Sequence, residues 1–330
     1  MIWIPVALLS LAAIVLLLSY STFRICFYSP KDRTEDPYSP MHGKQYEAVK
    51  DSIIACTRKM DEAPCEWVHI TSFDGTELYG RYYHLRDGAP VQIIFHGYRS
   101  FALRDSAGGT ILGQKMGFNV LAVDQRAHAR SGGNIITFGI QERKDCRKWC
   151  EYAADRCGKD TPIVISGLSM GAATVLMASN MDLPQNVCGI MADCPYSDPG
   201  DIIRKVCLDE HYPDKLVYPL IKLGARVFGG FDLEETSAIQ AVSQAKLPVL
   251  LLHGEDDRFV PCEMSRKIFQ ACASPAKLYT FPNAGHGLCY MVDPKRYEQV
   301  TAEFLWEIPC LKPYLRENPF TMELMKDKMA

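Results

Sequence analysis

Residues 163–173 read IVISGLSMGAA, an apolar run that passes through Gly167-Leu168-Ser169-Met170-Gly171 into further small residues. An apolar strand pattern that meets a helix pattern at Gly-x-Ser-x-Gly is typical of a sharp strand-to-helix turn. Such a turn holds its serine in a strained backbone geometry, so the residues two positions away on either side must lack side chains. The serine oxygen then stands at the positive end of the following helix. We therefore predict that Ser169 is a nucleophile.

A serine nucleophile needs a base, and His286 is the best placed of the eight histidines. It lies in Asn283-Ala284-Gly285-His286-Gly287, a loop after the last predicted strand, where small neighbours let an imidazole project into a shared site. The base needs a carboxylate that fixes its tautomer and stabilises the imidazolium. Residues 253–261, HGEDDRFVP, follow the penultimate predicted strand and offer three adjacent carboxylates. Spacing alone does not separate Asp256 from Asp257.

Short apolar runs alternate with helix-like segments along most of the chain. Strands are predicted at residues 66–72, 76–85, 91–95, 119–123, 162–166, 187–192, 248–252 and 277–281. Helix patterns fall at residues 141–157, 170–179 and 262–273. The dipeptide Asp74-Gly75 indicates a hairpin between the first two strands. Continuous apolar strands alternating with helices indicate an α/β fold, with a mostly parallel central sheet flanked by helices.

One interval breaks this alternation, because about fifty residues separate the strand ending near Asp193 from the strand starting near Pro248. A structureless loop of that length is unusual in a compact domain. We predict a short helical cap, inserted at about residues 195–245. Its apolar and aromatic segment Tyr212–Phe231 either presents an apolar wall to the substrate at Ser169 or only packs the cap onto the sheet.

The N-terminus carries a second strong signal. Residues 2–18 are uncharged, and the apolar stretch over residues 2–23 is long enough to cross a bilayer core of about 30 Å. It lacks the basic start and the cleavage site of a signal peptide, which favours an uncleaved anchor over residues 1–24. A cleaved signal peptide and a buried core helix are the alternatives. Basic residues follow the span and none precedes it, which favours a catalytic domain on the cytoplasmic side. Residues 25–63 are predicted as a linker and short helix, and residues 64–330 as the catalytic domain.

Composition narrows the class of protein further. A net charge of −3 gives no reason to expect nucleic-acid binding, which needs a basic face. The number of cysteines, 13, is odd, and no two of them have Cys-x-x-Cys spacing, so we predict free, buried thiols. No metal-ligand spacing and no glycine-rich phosphate loop occur, and we predict neither a metal nor another cofactor.

From about Glu66 to Leu311 the sequence resembles the α/β-hydrolase superfamily. The resemblance rests on His96-Gly97-Tyr98, on the turn at Ser169, on residues 253–261, on Gly285-His286-Gly287 and on the chain order Ser, Asp, His. The pattern His-Gly-x-x-Asp-x-x-Val-Pro of this family aligns its acid with Asp257. The resemblance also implies an oxyanion hole formed by the backbone N–H groups of Tyr98 and Met170, and structural roles for His96, His128 and His253. Relatives usually carry glycine where Ala127 and Ala129 stand, which leaves the geometry of that loop open.

More specifically, the chain is similar to membrane-anchored bacterial hydrolases of the esterase or acyl-peptidase-like type. This implies a serine hydrolase that cleaves carboxylic esters of small to medium acyl groups through an acyl-enzyme. A serine peptidase or aminoacyl- or acyl-peptide hydrolase uses the same residues and is the first alternative. A non-catalytic, membrane-tethered interaction protein is the second, although such relatives tend to lose a member of the triad.

Overall fold

The computed structural model describes residues 3–30, 36–39 and 43–329. All eight predicted strands are present, with bounds that differ from the predicted ones by a few residues. They are β1 (Glu66–Thr71), β2 (Glu77–Tyr83), β3 (Val91–Phe95), β4 (Asn119–Val123), β5 (Ile163–Leu168), β6 (Val187–Asp193), β7 (Val249–Gly254) and β8 (Ala276–Phe281). They form one sheet in the order β1-β2-β4-β3-β5-β6-β7-β8.

The sheet is antiparallel at one edge and parallel from β4 to β8. The predicted hairpin joins β1 to β2, and Gly75 has the positive φ of 83° that such a turn requires. Strands β3, β4 and β7 are buried along their whole length, as continuous apolar runs in a parallel sheet should be. The predicted α/β fold class is therefore confirmed.

Fifteen α-helices occur among the described residues, together with a 3₁₀ turn at Pro309–Leu311. They are α1 (Trp3–Cys26), α2 (Lys44–Glu47), α3 (Lys50–Glu62), α4 (Ala102–Asp105), α5 (Ala107–Lys115), α6 (Glu142–Cys157), α7 (Met170–Met177), α8 (Pro199–Asp209), α9 (Asp214–Val227), α10 (Ala238–Val242), α11 (Cys262–Ala271), α12 (Cys289–Val292), α13 (Pro294–Trp306), α14 (Lys312–Glu317) and α15 (Pro319–Met329). The three helix patterns at residues 141–157, 170–179 and 262–273 correspond to α6, α7 and α11, and the short helix predicted within residues 25–63 corresponds to α3. Helices α5 and α13 were not predicted.

Two apolar layers cover the sheet, and the alternation of side chains along β5 separates them. Val164 faces a cluster that contains side chains of α5 and α13. Ile163 and Ile165 face a second cluster that contains side chains of α6, α7 and α11. Because Ser169 lies where β5 meets α7, both layers fix its position.

The interval between β6 and β7 contains α8, α9 and α10, and α1 packs against α9. A Cβ atom on Gly224 would lie 2.4 Å from the carbonyl oxygen of Ser19, so only glycine permits this close approach. The rings of Phe23 and Phe228 are 6.0 Å apart, and those of Phe27 and Phe231 are 5.2 Å apart. Because the paired residue numbers rise together, α1 and α9 run parallel.

Helix α1 has 24 residues and a mean hydropathy of 2.2, and is the one helix in the described ranges long and apolar enough to span a membrane. By length and composition alone, a signal sequence or a buried helix would pass the same test. Residues 3–14 are exposed, whereas Ser19, Phe23 and Phe27 are buried against the domain. Residues 1–2 of the predicted anchor, and residues 31–35 and 40–42 of the predicted linker, lie outside the described residues.

Candidate active site

The turn at Ser169 has the geometry that its sequence requires. Strand β5 ends at Leu168 and α7 begins at Met170, which leaves Ser169 alone between them with φ 55° and ψ −114°. A Cβ atom on Gly167 would lie 2.2 Å from the carbonyl carbon of Gly171, and one on Gly171 would lie 2.0 Å from a backbone carbonyl oxygen of β3. Neither contact is possible for a residue with a side chain, so the two glycines are a steric necessity.

Ser169, His286 and Asp257 form a continuous chain of hydrogen bonds. The Nδ1 atom of His286 lies 2.7 Å from Oδ2 of Asp257, and its Nε2 atom lies 2.9 Å from Oγ of Ser169. An ionised carboxylate only accepts hydrogen bonds, so Nδ1 carries the proton and donates it. The Nε2 atom is then left as the acceptor for the hydroxyl of Ser169, which is the arrangement that a general base needs.

The surroundings of Asp257 keep it ionised. Burial alone would raise the pKa of its carboxyl, but the hydrogen bonds from His253 and His286 outweigh burial and hold that pKa well below its ordinary value. The backbone N–H groups of Phe259 and Val260 also donate to its Oδ1 atom, at 2.9 and 2.8 Å. Of the two carboxylates that spacing left open, the fold brings Asp257 to His286. Asp256 is exposed to solvent.

His253 supports this carboxylate from the far side. It is fully buried; its Nδ1 atom accepts from the hydroxyl of Ser265 at 2.6 Å, and its Nε2 atom lies 2.8 Å from the carbonyl oxygen of Val260. The same Nε2 atom lies 3.3 Å from Oδ2 of Asp257. These bonds agree with the structural role predicted for His253.

Hydrogen bonds fix the loop after β3 on both sides of Tyr98. The N–H of Gly97 donates to Oδ2 of Asp105 at 2.9 Å, and the N–H of Arg99 donates to Nε2 of His128 at 3.0 Å. The side-chain hydroxyl of Tyr98 donates to the carbonyl oxygen of Cys26, at the end of α1, at 2.7 Å. The N–H group of Tyr98 thus sits in a loop whose neighbours are fixed, as a preorganised oxyanion donor must be.

Two further features complete this edge of the site. Met170 is the first residue of α7, where a backbone N–H has no acceptor within its own helix. His96 is fully buried, its pKa is lowered to about 4 by burial, and its Nε2 atom accepts from the N–H of Gln125 at 2.9 Å. His96 and His128 therefore both support the loop rather than face the substrate.

The loop that contains Ala127 and Ala129 has a backbone conformation that glycine adopts more easily than other residues do. Ala127 has φ 62° and Ala129 has φ 42°, both in the left-handed region. A non-glycine residue there carries a strain of about 1–2 kcal/mol. The N–H of Ala127 nevertheless bonds to the carbonyl of Gly132 at 2.8 Å, so the loop closes despite the added methyl groups.

Sequence reasoning missed the residues that hold the loop of His286. The backbone N–H of His286 donates to Oε1 of Gln45 at 3.3 Å, and the hydroxyl of Tyr46 donates to the carbonyl of His286 at 3.2 Å. The ring of Phe259 lies 5.1 Å from the imidazole. Gln45 and Tyr46 belong to α2, some 240 residues earlier in the chain, and no local pattern links them to the site.

A cavity of about 370 Å³ opens at Ser169. Its wall is formed by α2, α3, α5, the central strands, α12 and α13. No residue of the segment 212–231, the predicted source of an apolar wall, is among the described residues that line it. That segment packs against α1 instead.

Two other titratable groups lie close to the triad. Asp193 ends β6 beside the cavity, and burial raises the pKa of its carboxyl to about 6. Cys194 is buried, and its Sγ atom lies within 4.8 Å of ligand atoms of Asp257 and His286, a three-residue set that could hold a metal ion. No metal-ligand spacing in the sequence pointed to this set of residues. However, Asp257 and His286 are already engaged with each other in the hydrogen-bond chain.

The fold and the geometry of the turn at Ser169 define a class of α/β hydrolases, and the comparison with protein families agrees. The model of the alpha/beta hydrolase family matches residues 93–300. This range covers more than half of the chain and includes Ser169, Asp257 and His286. The chain therefore belongs to the alpha/beta hydrolase family, and the protein is a hydrolase.

One relative with an assigned activity is named an esterase. The chain is 26% identical over 237 residues to an uncharacterized protein of Bacillus subtilis, covering 72% of this chain and 77% of that one. It is 24% identical to a bifunctional esterase/perhydrolase of Acinetobacter calcoaceticus, over 67% of this chain and 93% of that one. Among solved structures, an esterase of Pyrococcus furiosus superposes with a TM-score of 0.62 at 23% identity, covering 76% of this chain and 93% of that one. The similarity to the Pyrococcus furiosus structure concerns the fold alone.

Proposed function

We propose that this hydrolase is a serine esterase that cleaves carboxylic esters of small to medium acyl groups. The observation that carries the proposal is the hydrogen-bond chain from Ser169 through His286 to Asp257, at 2.9 and 2.7 Å. Nucleophile and base lie within the distance that proton transfer needs, and the base is in turn oriented by a third group.

The proposed reaction has two stages. His286 takes the proton of Ser169 at Nε2 while the serine Oγ attacks the acyl carbon, and the imidazolium then protonates the departing alcohol. A water molecule, deprotonated by His286, attacks the acyl-enzyme and releases the carboxylic acid and the free serine. In both stages the N–H groups of Tyr98 and Met170 stabilise the negative oxygen of the tetrahedral intermediate. Removing one such donor typically costs about 3–4 kcal/mol of transition-state stabilisation. These steps need neither a metal nor a cofactor.

We further propose that α1 anchors the protein in a membrane, with the catalytic domain on the cytoplasmic side. The proposed division is an anchor over residues 1–24, a linker with short helices over residues 25–63, and a hydrolase domain over residues 64–330 with the cap at about 195–245. The exposed apolar surface of residues 3–14 supports the anchor, because a soluble protein rarely exposes so much contiguous apolar area.

Labelling with a fluorophosphonate tests the nucleophile directly. The wild type and a Ser179→Ala variant should be labelled and should hydrolyse p-nitrophenyl acetate, whereas Ser169→Ala should do neither while keeping its fold. Ser179 is a matched control because it lies just beyond the other end of α7, outside the cavity. Labelling that persists in folded Ser169→Ala would remove Ser169 from the reaction.

The serine peptidase is the main competing function. Comparing kcat/KM for neutral esters with that for short peptide amides bearing a free amine distinguishes the two. Faster turnover of the peptides would favour the peptidase or acyl-peptide hydrolase. Absence of turnover and of labelling in the folded wild type would leave the non-catalytic interaction protein.

A further inference from the structure

The cavity at Ser169 extends far beyond the reacting atoms. It follows the face of the sheet that α5 and α13 cover, and its floor contains Gln92 and Ile94 of β3 and Val164 and Ser166 of β5. Its volume of about 370 Å³ falls within the range of small-molecule binding sites, about 300–1,000 Å³. The floor therefore runs along the strands instead of ending at their carboxyl edge.

The length of the cavity follows from the strand that forms its floor. Val164 precedes Ser169 by five residues, and a parallel strand rises about 3.3 Å per residue, so the cavity reaches about 16 Å from the nucleophile. Met116 and Phe118, which precede β4 at the amino-terminal edge of the parallel strands, line the far end. With C–C bonds of about 1.5 Å at angles near 111°, an extended alkyl chain advances about 1.25 Å per carbon. The depth thus holds at most about thirteen carbons.

Residual exposure in the middle of the sheet indicates open space. Strands β3 and β5 are flanked on both sides by other strands, yet Gln92 and Ser166 each keep 6% of their surface accessible. Nε2 of Gln92 donates to Oγ of Ser166 at 2.9 Å, so these two polar groups satisfy each other. Gly109 of α5, which faces the same space, is only half-buried. A ligand can therefore enter without leaving either polar group unpaired.

The chemistry of the wall favours an alkyl chain. Most side chains beyond the mouth are apolar, and they come from α5, the central strands and α13: Ile94, Leu112, Met116, Val164, Leu252 and Leu305. Asp193 pairs in register with Leu168, next to Ser169, and so lies at the reacting end. The polar side chains deeper in the wall are the paired Gln92 and Ser166, together with Tyr297 and Thr301.

We propose that this cavity binds the acyl chain of the substrate in an extended form, which makes esters of single acyl chains of about ten to twelve carbons the preferred substrates. The proposal rests on the serine esterase function proposed above and names the substrate class of that site. The acyl carbon lies at Ser169, the chain lies along β5 and β3, and the alcohol leaves through the mouth.

A series of p-nitrophenyl esters from two to sixteen carbons, used below their aggregation concentrations, tests this proposal. For the wild type, kcat/KM should rise about two- to fourfold per methylene, reach a maximum near ten to twelve carbons and then fall. A profile that is flat, or highest for two to four carbons, would overturn the proposal that the cavity binds the acyl chain. The hydrolysis itself would still support the esterase function.

Gly109→Leu places a side chain in the middle of the cavity, since a Cβ atom there points toward Cδ1 of Ile94 at 3.2 Å. Turnover of the twelve-carbon ester should fall at least a hundredfold, and turnover of the acetyl ester should stay within about threefold. Gln114→Leu introduces the same side chain on α5 outside the cavity and is the matched control, with a profile close to that of the wild type. Fluorophosphonate labelling verifies that each variant is folded around an intact nucleophile.

Phe118→Ala provides an independent test at the far end. Removing this ring should move the preferred chain length upward by two or more carbons. The acyl-chain proposal would be contradicted if labelled Gly109→Leu still preferred twelve carbons. It would also be contradicted if the preferred chain length of labelled Phe118→Ala did not shift. If no ester is hydrolysed and Ser169→Ala behaves like the wild type, the esterase function itself fails.

Discussion

Asp257→Asn should lower kcat for ester hydrolysis by about 10⁴-fold, or about 5.4 kcal/mol of activation free energy. The structure dictates how the asparagine must lie. Two backbone N–H groups, from Phe259 and Val260, point at the Oδ1 position at 2.9 and 2.8 Å, so the amide oxygen has to occupy that position. The amide NH₂ then faces His286, where the carboxylate previously accepted a hydrogen bond at 2.7 Å.

Two donors cannot share one hydrogen bond, so His286 must move its proton to Nε2 and accept at Nδ1. The Nε2 atom can then no longer accept the proton of Ser169, which lies 2.9 Å away. The assay is steady-state hydrolysis of p-nitrophenyl acetate, with circular dichroism to verify the fold. The exposed Asp256 is the matched control, and Asp256→Asn should change kcat less than twofold. A loss below tenfold in Asp257→Asn, or a larger loss in Asp256→Asn, would refute this reasoning.

Three further outcomes follow from single contacts. Tyr98→Phe removes the hydroxyl that donates to Cys26 and should lower kcat two- to fivefold with little change in KM, because one neutral hydrogen bond contributes about 1 kcal/mol. Asp193, with its pKa raised to about 6 by burial, holds a proton that the unfolded chain releases near its ordinary value of 3.8. Stability therefore falls as pH rises between these values, by up to about 3 kcal/mol, and Asp193→Asn should show a smaller decrease of Tm between pH 4.5 and 7.5. Ala129→Gly relieves a positive φ of 42° and should raise the free energy of unfolding in urea by about 0.5–1 kcal/mol; a decrease would contradict the strain.

The strands and the turn at Ser169 were predictable because their patterns are local. Every strand is a short apolar run bounded by turn residues, and the turn is encoded within five consecutive residues. Helix α5 escaped prediction because Ala107–Lys115 contains three glycines, which have low helix propensity. Its packing against β3, β4 and α3 overrides that propensity.

The cavity and the support of His286 could not be predicted for a different reason. The wall of the cavity draws on residues from Gln45 to Leu305, which only the folded chain brings together. The segment Tyr212–Phe231 was correctly identified as apolar, but sequence does not tell which surface covers an apolar helix face. In the structure α1 covers much of it, so the predicted wall over Ser169 is formed by other elements.

Helix α1 enters the folded domain without a hinge. Its last turn is fixed by the bond from Tyr98 to Cys26, and the chain beyond it by a β-bridge between Tyr28 and Ile135. The tilt of the helix and the direction in which the cavity opens are therefore set together. In a bilayer around residues 3–14, every copy would hold its opening at one height and one angle above the lipid, and the domain could not swivel toward a substrate arriving from elsewhere. In such a bilayer, the reach of the active site would be restricted to a thin layer of space beside the membrane.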